Sequence, residues 1–126
     1  MAKVFVVQVG MQRRDTMTGD KVPFDLSPAE EFGQLVPILG PRATPYNAEA
    51  VIAEMKTQMR DFTENDYLLL VGNPCLIGWA VAIAASRVNT VQLLQWSGRE
   101  RRYLRIRSPL NFLSQTSCGA SKKGVE

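Results

Sequence analysis

Apolar positions along this chain come in short unbroken runs separated by polar turns. Val4, Phe5, Val6 and Val7 are contiguous within residues 3–9, and Leu68, Leu69, Leu70 and Val71 are contiguous within residues 67–71. A run without alternation suits a strand buried on both faces, as in parallel sheets covered by helices. Residues 35–39 (LVPIL) predict another strand, and Pro37, which lacks a ladder donor, places it at an edge or makes it irregular. Residues 91–96 and 101–107 predict two more strands, joined as a hairpin by Ser97-Gly98-Arg99-Glu100.

Helical periodicity lies between these runs. Ala48, Val51, Ile52, Met55, Met59 and Phe62 recur at three- and four-residue spacings, so residues 46–61 predict an amphipathic helix whose methionines pack in the core. Gly72-Asn73-Pro74 predicts a turn into a second helix over 74–87, with Asn73 as cap and Pro74 at the first position. Ser27-Pro28-Ala29-Glu30 has the form of a capping box and predicts a short helix ended by Gly33. Residues 10–24 are a polar connection with a Thr18-Gly19-Asp20 turn signal, either functional or hairpin-like. Residues 109–113 add one packed turn, and residues 114–126 hold little apolar mass and read as a mobile tail.

Strands alternating with helices give an α/β layer fold: one domain over residues 1–113, a mainly parallel or mixed five-stranded sheet, three helices and a C-terminal β-hairpin edge. A length of 126 residues fits one domain that needs no disulfide or metal. Residues 67–86 are twenty positions without a charge, nominally enough to span a bilayer. Gly72-Asn73-Pro74 breaks that run, so no membrane association is expected. The apolar N-terminal run is too short for a secretory core, and two thiols suit a reducing cytoplasm.

Composition narrows the chemistry. Histidine is absent, which removes the usual neutral-pH base and the commonest metal ligand. Cys75 and Cys118 alone make no zinc site. No catalytic residue, metal or cofactor is therefore assigned. The carboxylates Glu30, Glu31, Asp61, Glu64 and Asp66 sit at helix ends and turns, where capping and solubility explain them.

Three places could carry function. Gly72, Asn73 and Cys75 lie at a strand-to-helix turn, where helix N–H groups can hold an anion, although no phosphate fingerprint is present and Pro74 removes a donor. Cys75 itself, with no histidine to serve as base, reads as a packed, buried thiol. In the last hairpin, Arg101, Tyr103, Arg105 and Arg107 share one strand face, with Arg99 and Arg102 nearby and Leu104 with Ile106 on the other. Arginines flanking an aromatic suit nucleic acid, while charge on an edge strand also serves to block aggregation. Residues 64–126 carry eight basic and four acidic side chains, against seven and eight in residues 1–63, so the excess charge sits here.

The helix over 74–87 is apolar all round. Ile77, Val81, Ala84 and Val88 are expected to meet the sheet. Gly78, Ala82 and Ala85 form a narrow face of small residues, and Leu76, Trp79 and Ile83 a bulky strip. A domain this small has few elements left to cover such a helix. The six residues Leu76, Gly78, Trp79, Ala82, Ile83 and Ala85 are therefore expected to meet a second copy or another protein, ahead of the alternative that residues 10–24 and 109–113 cover them.

The strings FDLSPAEEFG at 24–33, DF at 61–62 with DYLLLVGNP at 66–74, LLQW at 93–96 and RY at 102–103 resemble a group of small proteins of tailed bacteriophages. The resemblance covers most of residues 3–107. An aspartate often stands in that group at the position of Asn73, and the group has no long tail like residues 114–126. The resemblance carries no catalytic residue over. It implies a viral accessory protein working in the host bacterial cytoplasm and names no target. With the apolar helix, the first reading is a non-enzymatic protein acting through protein contacts, as a homo-oligomer (a homodimer) and on a host protein such as an enzyme; an enzyme or nucleotide binder around Gly72 ranks last. The alternative is nucleic-acid binding through residues 99–107.

Overall fold

A computed structural model describes residues 2–10, 12–14, 16–23 and 25–112. The tail over 114–126, with Cys118, lies outside the described residues. The strands are β1 (Lys3–Gln8), β2 (Gln12–Arg14), β3 (Lys21–Pro23), β4 (Gln34–Leu39), β5 (Tyr67–Leu69), β6 (Thr90–Ser97) and β7 (Arg102–Pro109). The helices are a 3-10 helix over Ser27–Phe32, α1 (Ala48–Gln58), preceded by a 3-10 turn at Pro45–Asn47, and α2 (Pro74–Arg87).

Five strands form one mixed sheet in the order β4-β1-β5-β6-β7. The first four are parallel, and β7 returns antiparallel to β6, with Leu94 opposite Arg105 and Trp96 opposite Tyr103. This is the single-domain α/β fold that the alternation of elements predicts. The connection 10–24 is a small antiparallel hairpin, with β2 paired to β3.

Each sheet face has its own core. On one, Phe5, Val7, Leu68 and Val91 pack against Met55 and Met59 of the α1 segment and Leu76, Ala80 and Ala84 of α2. Phe5 meets Phe62 edge to face at 5.3 Å. Each such large side chain fully buried contributes about 2 kcal/mol relative to exposure. On the other face, Val4, Val6, Leu69, Leu94 and Tyr103 are covered by the 26–32 segment through Leu26, Ala29 and Phe32.

Several sequence expectations are corrected here. The Ser27–Glu30 capping box does not form: the Ser27 hydroxyl donates to Asp25 at 2.6 Å, and the turn is 3-10 rather than α. That hydrogen bond, followed by one from the Ser27 N–H, holds the Asp25 carboxyl below its usual range. In α2 the buried line is Leu76, Ala80, Ile83 and Ala84, while Ile77, Val81 and Val88 are only partly buried. The expected sheet-facing and outward rows are thus rotated, because a helix apolar on all sides carries little amphipathic signal to orient it.

Candidate functional site

The strand order places a topological switch between β1 and β5, since the chain goes from β1 to β4 on one side and then crosses through α1 to β5 on the other. Open α/β sheets commonly bind ligands beyond the carboxyl ends of strands at such a point. Here the crevice is filled by Gln8, the last residue of β1 and almost wholly buried. Its Nε2 donates to the carbonyls of Gly40 and Ala43, each at 3.1 Å. Its Oε1 accepts from the Asn73 N–H at 2.9 Å. One side chain joins the loop after β4 to the turn after β5.

Of the anion-binding residues expected at this turn, Asn73 and Cys75 have their N–H groups engaged by the side chains of Gln8 and Asn73. Asn73 caps α2 by accepting the Cys75 N–H at 2.8 Å, and Pro74 offers no donor. Gly72 has φ +124°, and a Cβ there would come within 2.5 Å of Gln8 Cβ, so glycine permits the close approach. Gln8 was invisible to motif reasoning; the signal for it is a glutamine ending an otherwise apolar strand. Cys75 is exposed, not buried, because it stands on the solvent side of α2's first turn.

Among the described residues, Asp66 is the other buried polar side chain. It accepts the Lys3 N–H at 2.9 Å and the Thr63 N–H and hydroxyl at 2.8 and 3.0 Å, tying the start of β1 to the turn before β5. Its role is structural.

The outer face of α2 carries Cys75, Gly78 and Ala82, all exposed, with Ala85 partly buried. A Cβ added at Gly78 would meet nothing within 4 Å. Of the residues expected to face a partner, Leu76 and Ile83 are in the protein's own core and Trp79 is partly buried against it. The structure therefore brings only the small-residue row to the surface.

At the hairpin, the register puts Tyr103, Arg105 and Arg107 on one face, opposite Trp96, Leu94 and Gln92. Tyr103 is 5% exposed rather than presented, because the 26–32 segment covers this part of the sheet. Burial first, then the nearby Asp25 carboxylate, raises its pKa above the usual tyrosine value. The exposed aromatic is Trp96, edge to face with Tyr103 at 5.0 Å. On the opposite face, as the alternation predicts, lie Leu104, partly buried, and Ile106, 41% exposed. These residues extend past the area that α2 covers, since α2 packs on β1 and β6. Arg99, Arg101, Arg102, Arg105 and Arg107 are all exposed, and Arg101 closes the turn with φ 57°. Beside them, Glu64, Asn65, Thr90, Gln92 and Arg107 line an open polar cleft of about 270 Å³.

Among the described residues no helix is long and apolar enough to cross a membrane, and no cluster of three metal-ligating side chains occurs. Comparison with known proteins finds no curated protein and no solved structure that matches. A family model does match, over residues 2–110, and the chain belongs to the family it describes, the phage Pam3 gp32-like proteins.

Proposed function

We propose that this phage protein is a non-enzymatic accessory protein that works by protein contact in the host cytoplasm. It forms a homodimer through the outer face of α2 and acts on a host protein. One observation carries this reading: α2 is a surface helix with no charged side chain from Pro74 to Ser86, and Cys75, Gly78 and Ala82 stand exposed on it. A surface helix ordinarily turns charged residues to water. A row of small side chains instead lets a second helix approach closely and exclude solvent. The crowded turn at Gly72 supports the same reading, because Gln8 occupies the place where a ligand of this fold class would sit.

Sedimentation velocity over a concentration series tests it. The wild-type chain is expected to dimerise with little dependence on salt, since the contact is apolar. Gly78→Glu and Ala82→Lys are expected to give a monomer that melts like the wild type, because both positions are open to solvent. A wild-type monomer at all concentrations, or dimers unaffected by both changes, overturns it.

A further inference from the structure

The sheet ends at β7, and the parity of its ladder fixes which main-chain groups face outward. The Leu110 N–H donates to the Asn89 carbonyl at 2.9 Å, continuing the register in which Thr90 faces Pro109. Hydrogen-bonded pairs alternate along an antiparallel ladder. Positions 102, 104, 106, 108 and 110 therefore turn their N–H and C=O toward β6, and Tyr103, Arg105, Arg107 and Pro109 turn theirs away. Pro109 has no N–H to offer, so the free edge presents three donors, on Tyr103, Arg105 and Arg107.

We infer that this edge takes up an extended acidic segment of a partner protein as a sixth strand. Side chains on the two faces define the guest. Beside the free edge, one face shows Arg105 and Arg107, both exposed; the other shows Ile106, 41% exposed, and Leu104. A strand pairing here sets its alternate residues against guanidinium groups and the rest against aliphatic side chains. The complementary sequence alternates acidic and aliphatic residues. Main-chain bonds hold such a guest, and the alternating side chains select it. The same charges disfavour a second copy on this edge. The two-fold register that uses all three donors sets Arg105 directly opposite its own counterpart, a repulsive pair. The charge that keeps like edges apart thus selects an acidic one.

This inference shares with the proposed function the premise of protein contact, but uses a different surface. The test is amide hydrogen exchange on the full chain, with and without a short synthetic peptide of alternating Glu and Val. Protection is expected at the amides of Tyr103, Arg105 and Arg107, with those of Leu104 and Ile106 already slow in the free protein. The double variant Arg105→Glu with Arg107→Glu is expected to weaken the peptide by about tenfold or more and to accept a peptide of alternating Lys and Val instead. Gly78→Glu is expected to leave peptide protection intact, which separates this surface from α2. No protection of the three amides at saturating peptide overturns the inference. So does equal affinity for the Glu and Lys peptides. Tighter binding of a single-stranded oligonucleotide than of the Glu peptide, lost in the same double variant, also overturns it and assigns the hairpin to nucleic acid.

Discussion

The carboxyl ends of the parallel strands and the outer edge of β7 both hold main-chain groups that a sheet leaves over, and they treat them in opposite ways. At the first, Gln8 ties up one N–H and two carbonyls from two loops and occupies the crevice between β1 and β5. At the second, three N–H groups point away from the sheet, flanked by arginines and by Ile106. The switch point of the sheet is held by an internal side chain here, and main-chain groups without a strand partner are left at the margin.

The largest expected effect probes the closed end. Gly72→Ala forces a side chain at φ +124° into Gln8 and is expected to cost about 3 kcal/mol, read by urea unfolding. A cost under about 1 kcal/mol would break the contrast, since the crevice would then have room. Gln8→Leu keeps volume but leaves the Asn73 N–H and the carbonyls of Gly40 and Ala43 without their partner. An expected loss of about 1–2 kcal/mol follows from unpairing part-buried polar groups, with faster amide exchange at Asn73. The smallest effect sharpens the open side. Ile106→Ser is expected to cost no more than about 1 kcal/mol, because the side chain is 41% exposed. A larger loss would place Ile106 in the fold's own core.

Strands and their order of appearance were legible because contiguous apolar runs such as Val4 to Val7 and Leu68 to Leu70 have few alternatives. The cap at Asn73 and proline at the start of α2 were legible as local chemistry. Orientation was not. Nothing in a helix of Leu, Ile, Val, Ala and Trp says which side meets the sheet, so Leu76 and Ile83 were placed outward although both are core. Tyr103 is a different failure: strand parity gave its face correctly, but whether that face is bare depends on Leu26 and Phe32 of a distant segment. Gln8 escaped for the same reason, because its three partners lie 32 to 65 positions away.

Pro109 has one more consequence. By truncating the row of donors after Arg107, it keeps any strand added to β7 short, and a short ladder holds a guest weakly. One such attachment is fleeting on its own. Firm retention then requires avidity: a target displaying the same motif many times over, so that each release is followed by recapture at a neighbouring copy.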